Sequence, residues 1–259
     1  MLEWSESVVR VGADAVTVKE AGAGRPLLVL HEELGPTAWC TWHEELARSR
    51  RMIMPVHPGF RGERIGWMRS VRDLSCFYGH FLRDFASGPV DVLGFSFGGW
   101  VAAEMAVNNP NQFGRMALVA PFGIKPRHGF IMDMFPMSSF EYLKSSVYAI
   151  DRTAEFGTLY GPQSAEQFET WEDARTECAR LAWEPYMHDP SLEPMLCGLK
   201  GLPSMVVWGA SDAILPESAV RAYERAMPDC LLKIFADCGH RPEIEKRDEF
   251  VRTLEQFFD

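Results

Sequence analysis

The sequence lacks the features that tie a protein to a membrane or a metal ion. No apolar run reaches the roughly 18 residues that a membrane-spanning helix needs. Residues 1–6 have neither the basic start nor the apolar stretch of a signal peptide. The six cysteines form no C-x-x-C pair and have no histidine at metal-ligand spacing. We therefore expect free thiols, a cytoplasmic location and no bound metal.

Basic side chains are scarce as well. The chain has 26 lysine and arginine residues against 36 aspartate and glutamate residues, a formal net charge of −10 at pH 7, and no basic stripe. This balance argues against binding to nucleic acid or to an anionic membrane. We expect a small-molecule substrate as the partner. Both a monomer and a homodimer are compatible with the sequence.

Short apolar runs alternate with helical patterns over much of the chain. A hairpin predicted at residues 7–19 precedes the first of these runs, and a helix predicted at 243–258 closes the chain. Strands that alternate with helices indicate a mostly parallel sheet covered on both faces, which is the α/β class. The predicted strands are residues 27–30, 51–56, 89–93, 113–120, 204–208 and 231–235.

The alternation is interrupted between residues 122 and 200. That stretch contains several short helical patterns separated by proline turns, and no run of the core-strand kind. We interpret it as a helical lid inserted into a single core. The predicted core consists of residues 1–121 and 201–259.

Gly94-Phe95-Ser96-Phe97-Gly98 follows a predicted buried strand and precedes a helical pattern rich in small residues. The order strand, G-x-S-x-G, helix is typical of a nucleophile elbow, in which a tight turn holds the serine hydroxyl above the end of the sheet. The free N–H groups at the start of the helix favour negative charge at the same place.

Two later strands end in residues that could activate Ser96. Asp212 follows the strand at 204–208, and His240 follows the strand at 231–235. A serine hydroxyl needs a base, and the base needs an orienting acid. Asp237 is an alternative acid, but it precedes His240 by only three positions and would have to reach the far side of the imidazole. The chain order Ser, Asp, His is that of an α/β-hydrolase triad.

Five segments together resemble the lidded α/β-hydrolase superfamily over nearly the full chain: residues 30–31, 57–60, 94–99, 207–216 and 239–245. The resemblance implies an eight-stranded sheet with helices on both faces and an inserted lid. It also implies that Ser96 is the nucleophile, His240 the general base and then acid, and Asp212 the orienting acid. An acyl-enzyme hydrolysed by water follows, without a cofactor.

The predicted oxyanion hole departs from the family pattern. One donor is expected to be the backbone N–H of Phe97, and the other that of Glu33 or Glu32, where the family usually has glycine and small residues. Two carboxylates would oppose a developing oxyanion unless they point away or pair with a cation. We expect both side chains to face solvent while the backbone donates. Recognition of a cationic or hydroxylated substrate and loss of hydrolysis are the alternatives.

The sequence gives less information about the substrate. We expect His31, Phe95, Phe135 and Trp183 to line an apolar pocket. The default prediction is a carboxylesterase that acts on a small, largely apolar ester or thioester. The alternatives are a carbon–carbon bond hydrolase, a lyase or cyclase, and a non-catalytic receptor. Arg241 stands where the carbon–carbon hydrolases of this superfamily commonly have tryptophan, which disfavours the first alternative.

Overall fold

The computed structural model describes residues 4–61, 63–161 and 164–259. Residues 1–3, part of the segment without a signal-peptide pattern, lie outside the described residues, as do 62 in the predicted core and 162–163 in the predicted lid. The described residues form one eight-stranded sheet of order β1-β2-β4-β3-β5-β6-β7-β8. Its strands are β1 (Ser5–Val11), β2 (Asp14–Ala21), β3 (Arg25–Leu30), β4 (Arg50–Pro55), β5 (Val90–Phe95), β6 (Phe113–Val119), β7 (Ser204–Gly209) and β8 (Leu231–Phe235).

Strand direction in the sheet follows the predicted alternation. The hairpin strands β1 and β2 are antiparallel to each other, and β2 is antiparallel to β4. The strands from β3 to β8 pair in parallel. Parallel strands have their carboxyl ends at one edge, so the loops after β3, β5, β7 and β8 meet there. The predicted α/β fold class is confirmed.

Helices cover both faces of the sheet. Alternate residues of β3 point to opposite sides: Leu28 and Leu30 pack with the helices at residues 71–85, 97–108 and 217–226, whereas Leu27 and Val29 pack with those at 41–47 and 247–258. Within the described ranges, no helix combines the length and apolar character needed to cross a bilayer. The helices are α1 (Thr41–Ala47), α2 (Val71–Phe85), α3 (Phe97–Asn108), α4 (Ser139–Ser145), α5 (Ala154–Tyr160), α6 (Ala165–Ala182), α7 (Leu192–Met195), α8 (Glu217–Ala226), α9 (Pro242–Glu245) and α10 (Arg247–Phe258).

Residues 120–203, here called the β6–β7 segment, connect two neighbouring strands of the sheet. The segment contains α4 to α7, and its described residues contribute no strand to the sheet. Its buried side chains, such as Tyr142 and Cys178, belong to the same hydrophobic cluster as Leu30 and Trp100 of the core. The segment is therefore packed on the sheet rather than folded as a separate unit.

The C-terminal helix differs from its prediction. In place of one helix over 243–258, α9 ends at Glu245 and α10 begins at Arg247. Lys246 between them has φ −127° and ψ 37°, outside the helical region. The Glu245 carboxylate accepts hydrogen bonds from the N–H groups of Gly239 and Tyr148. These contacts fix α9 against the loop after β8, which a continuous helix pattern in the sequence does not show.

The packing between α3 and β3 leaves no space for side chains at the elbow. A Cβ atom at Gly98 would lie 2.3 Å from the carbonyl oxygen of Leu30 and 2.4 Å from that of His31. A Cβ atom at Gly94 would lie 2.5 Å from the carbonyl oxygen of Gly98. All these obstacles are backbone atoms, so a rotamer change cannot relieve them.

We expect Gly98→Ala to lower the free energy of unfolding by about 3 kcal/mol, because the added methyl group must displace a strand. Gly157→Ala is the matched control: it lies in α5, has nothing within 4 Å of its added Cβ, and gains helix propensity. Urea denaturation of both variants measures the difference. Equal, small effects would contradict this account of the elbow.

Candidate active site

Ser96 lies at the strained turn between β5 and α3. Its backbone has φ 49° and ψ −108°, and a positive φ is uncommon for a residue with a side chain. The turn is held because the Ser96 N–H donates to Val119 O at 2.8 Å, while Ser96 O accepts from the N–H of Phe122 at 3.2 Å. The serine is only 2% exposed. Its hydroxyl is thus held rigidly in a site from which bulk water is excluded.

Three side chains predicted from separate strand ends meet at this point. Ser96 Oγ lies 2.8 Å from Nε2 of His240, and Nδ1 of His240 lies 2.7 Å from Oδ2 of Asp212. The second oxygen of Asp212 accepts from the N–H groups of Ile214 at 2.8 Å and Leu215 at 2.9 Å. The acid is thereby fixed in place, Nδ1 carries the imidazole proton, and Nε2 is free to accept the serine proton.

Asp237, the alternative acid, takes no part in this arrangement. Its side chain is exposed, and its backbone has φ 49° in the turn after β8. The imidazole of His240 instead stacks on Phe122, with ring centroids 5.7 Å apart. Asp212 is therefore the acid that the fold brings to His240.

The electrostatics of the site favour a basic imidazole. Burial disfavours the charged form of His240, but the charge of Asp212 and its hydrogen bond outweigh burial and raise the pKa of His240 above its ordinary value of 6.5. Glu33 adds to this rise, whereas Arg241 opposes it. A raised pKa strengthens the imidazole as a base and narrows the pH range in which it is neutral.

Two histidines fix the backbone of the loop after β3. His31 Nδ1 donates to Glu32 O at 2.8 Å, and its Nε2 accepts from the His57 N–H at 2.8 Å. His57 Nε2 donates to His31 O at 3.0 Å, and its Nδ1 accepts from the Tyr78 hydroxyl at 2.7 Å. Burial, together with the neighbouring His57, lowers the pKa of His31, and burial lowers that of His57 to about 3. Both rings are neutral and anchor the loop.

The expectation that Glu32 and Glu33 face solvent is wrong. Glu32 is 5% exposed and forms an ion pair with Arg241, which is itself fully buried. Arg241 also donates from Nε to Ser146 Oγ at 2.6 Å and from Nη1 to the Tyr160 hydroxyl at 3.0 Å. Burial alone would disfavour both charges, and the pair compensates each for the loss of water.

Glu33 is buried by a different partner. Its carboxyl group is 0% exposed, and Oε1 accepts a hydrogen bond of 2.8 Å from the hydroxyl of Tyr142 in α4. Its other oxygen, Oε2, has no hydrogen-bond partner among the residues that the structure describes. A third acid, Glu243, also lies beside Arg241, and burial, with the charge of Glu32, raises its pKa to about 8 against the opposing effect of Arg241.

The predicted pocket residues are not all in one place. His31 lies in the anchored loop, while Phe95 packs against Trp42 on the α1 and α10 face of the sheet, at 5.2 Å between ring centroids. Phe135 and Trp183 do pack together, at 5.1 Å, and Trp183 is 55% exposed. In the described part of the chain, the ring contact to the triad is made by Phe122 instead.

Three contacts at the site were not predicted from the sequence: that of Tyr142 with Glu33, that of Phe122 with His240 and that of Arg241 with Glu32. The position of Arg241 directly after His240 was the one available signal, because a charged residue beside a buried base needs a partner. Tyr142 and Phe122 are ordinary apolar-pattern residues of the β6–β7 segment. Among the described residues, no group of three or more potential metal ligands comes together.

Comparison with known proteins identifies the family. A sequence profile of the alpha/beta hydrolase family matches residues 22–253, and the chain therefore belongs to that family. It is 26% identical to 2-hydroxymuconate semialdehyde hydrolase from Pseudomonas sp. (strain CF600), over 92% of this chain and 88% of the relative. It is 27% identical to pimeloyl-(acyl-carrier protein) methyl ester esterase from Chromobacterium violaceum, over 66% of this chain and 70% of the relative.

Solved structures agree on the fold. The 2-hydroxy-6-oxo-6-phenylhexa-2,4-dienoate hydrolase from Rhodococcus sp. strain RHA1 matches with a TM-score of 0.79 at 19% identity, covering 100% of this chain and 99% of that structure. Its membership of the family makes the chain a hydrolase with the α/β-hydrolase fold.

The raised pKa of His240 predicts the pH dependence of activity. Because only the neutral imidazole accepts a proton, kcat/KM should rise with pH through a value above 6.5 and level off beyond it. Asp212→Asn removes the charge that raises this pKa, so the rise should move to lower pH and the plateau should fall by about 10,000-fold. Rates from pH 5 to 9 measure both effects. An unshifted profile in Asp212→Asn would contradict the assignment.

The Glu32–Arg241 pair predicts non-additive effects on stability. Glu32→Leu or Arg241→Met alone leaves a buried charge without its partner and should cost about 3–5 kcal/mol of the free energy of unfolding. The double variant should recover much of that loss, because neither charge of the pair remains. Urea denaturation of the four proteins gives the coupling energy. Additive losses would show that the two side chains act independently.

Proposed function

We propose that this chain is a serine hydrolase that cleaves the carbon–carbon bond beside a carbonyl group of a small unsaturated oxo acid. The observation that carries the proposal is the 2.8 Å contact between Ser96 Oγ and His240 Nε2 at a strained nucleophile elbow. The type of bond is suggested by the relatives, because 2-hydroxymuconate semialdehyde hydrolase aligns with 92% of the chain.

The reaction follows the geometry of the triad. Ser96 Oγ attacks the carbonyl carbon while its proton passes to Nε2 of His240, and Asp212 stabilises the resulting imidazolium. The carbonyl oxygen becomes an oxyanion, for which the backbone N–H groups of Phe97 and Glu33 are the proposed donors. The bond to the leaving group then breaks, and the departing carbon takes the proton from His240.

The second half of the reaction regenerates the enzyme. A water molecule gives its proton to His240 and attacks the acyl carbon on Ser96. The tetrahedral intermediate collapses, Ser96 recovers its proton from His240, and a carboxylic acid is released. Overall, one water molecule is consumed, and the cleaved carbon–carbon bond is replaced by a carboxyl group on one product and a C–H bond on the other. No cofactor takes part in this balance.

Ester hydrolysis is the second candidate, and one observation favours it. Arg241 occupies the position after His240, and it is buried and paired with Glu32, whereas carbon–carbon hydrolases of this superfamily commonly have tryptophan there. The same acyl-enzyme serves both reactions, since they differ only in whether an oxygen or a carbon leaves. The similarity to a methyl ester esterase supports this candidate as well.

Two substrates and one variant test the proposal. Purified protein is assayed with 2-hydroxymuconate semialdehyde, followed by loss of its visible colour, and with p-nitrophenyl butanoate. We expect the first to have the higher kcat/KM, and Ser96→Ala to lower both rates by at least about 10,000-fold because the nucleophile is gone. Ser49→Ala, an exposed serine after α1, is the control and should keep parental rates.

The outcomes separate the candidates. Faster turnover of the ester would replace carbon–carbon cleavage by ester hydrolysis as the function. Equal rates in Ser96→Ala and the parent would exclude Ser96 as the nucleophile. A folded parent that turns over neither substrate would contradict the proposal.

A further inference from the structure

We propose that the side chain of Glu33 determines substrate specificity by accepting a hydrogen bond from a donor group, a hydroxyl or an ammonium, close to the scissile carbonyl on the acyl part of the substrate. The inference rests on the proposed function, because it takes Ser96 as the nucleophile. It adds a chemical requirement on the substrate that the triad alone does not impose.

The Glu33 carboxyl group is only partly hydrogen-bonded. It is completely buried, and Tyr142 satisfies only Oε1, leaving Oε2 without a partner in the described ranges of the chain. Buried polar atoms are almost always paired, so an orphan acceptor needs an explanation. A ligand that supplies a donor on binding is one, because the binding event then completes the hydrogen bonding.

Glu33 also lies near the point at which β3 meets α3. Glu33 follows the end of β3, where the Leu30 and His31 carbonyl groups lie directly against α3 at Gly98. Its carboxyl group is hydrogen-bonded to Tyr142 of α4, in the β6–β7 segment. Glu33 therefore lies between the edge of the sheet that carries Ser96 and the β6–β7 segment that packs on it.

Other buried polar atoms that lack a hydrogen-bond partner lie in a different environment. His43 Nε2 and Glu243 Oε2 also lack partners among the described residues, but both residues line a cavity of about 20 Å³ between β3 and α1. That volume admits about one water molecule. Glu33 is not among the residues that line this cavity, so a water molecule held there does not serve Glu33 Oε2.

The Glu33 side chain is held in place and is not free to turn away. Tyr142 fixes Oε1 from α4, and the loop backbone is anchored by the His31 and His57 rings. A preorganised acceptor rejects a substrate that lacks the matching donor, because its own oxygen then stays buried and unpaired. The preference should therefore appear between substrates that differ in one polar hydrogen-bearing group.

The test uses matched p-nitrophenyl esters of butanoate, 2-hydroxybutanoate, 3-hydroxybutanoate and 3-aminobutanoate. We expect the parent to prefer at least one substituted ester over butanoate by tenfold or more in kcat/KM, after correction for spontaneous hydrolysis. Preference for a hydroxy ester identifies a neutral donor, and preference for the amino ester identifies a cation.

Glu33→Gln is the diagnostic variant. Its amide oxygen still accepts from Tyr142, while its NH2 group faces the substrate donor, so the preference ratio should fall at least tenfold. Glu104→Gln is the matched control: Glu104 of α3 is equally buried but pairs with Arg72 of α2, and its substitution should leave the ratio unchanged. An unchanged ratio in Glu33→Gln, or a parent without any preference, overturns the inference while the serine hydrolase proposal stands.

A binding measurement covers the case in which the parent hydrolyses none of the esters. Calorimetric titration of the Ser96→Ala variant with methyl butanoate and with the methyl esters of the three substituted acids needs no turnover. We expect at least one substituted ester to bind tenfold more tightly, and this advantage to vanish in Ser96→Ala/Glu33→Gln. Equal affinities, or no binding of any ester, would overturn the role of Glu33 independently of the reaction.

Discussion

At Gly98, helix α3 passes so close to the end of β3 that no side chain fits between them. Ser96, which directly precedes α3, has a φ of 49° in the same turn. The loop after β3 is held against the same helix, so the hydroxyl of Ser96 and the backbone of Glu33 share one rigid frame. Hydrogen bonds of the Ser96 N–H to Val119 and of its carbonyl group to Phe122 hold this sparsely populated conformation.

Buried charges then link the loops at the edge of the sheet. Arg241 connects the loop after β8, which carries His240, to the loop after β3 through Glu32. It also connects that loop to the β6–β7 segment through Ser146 and Tyr160. Removing such a network from water costs free energy, so it is stable only in the arrangement in which its charged and polar groups are paired. We infer that this network fixes the loop after β3 relative to His240, while the side chain of Glu33 remains available to the substrate.

The sequence predicted what depends on local pattern and chain order. Apolar runs, the elbow and the order Ser96, Asp212, His240 sufficed for the sheet and for the residues that meet in the candidate triad. The burial of Glu32 and Glu33 was missed because their partners, Arg241 and Tyr142, lie 209 and 109 positions away. Two adjacent acids have no local signal of burial, and the aromatic contacts of the β6–β7 segment depend equally on tertiary packing.

The proposed reaction requires an acyl group carried by Ser96. Mass spectrometry of the enzyme during turnover tests the presence of this acyl group most directly. The parent is mixed with a cleavable substrate, quenched in acid within milliseconds, digested and analysed by peptide mass. We expect the peptide containing Ser96 to gain the mass of the acyl group, and the amount of this acylated peptide to fall as product forms. Steady turnover with no acylated Ser96 at any time would contradict it and would indicate direct attack by water.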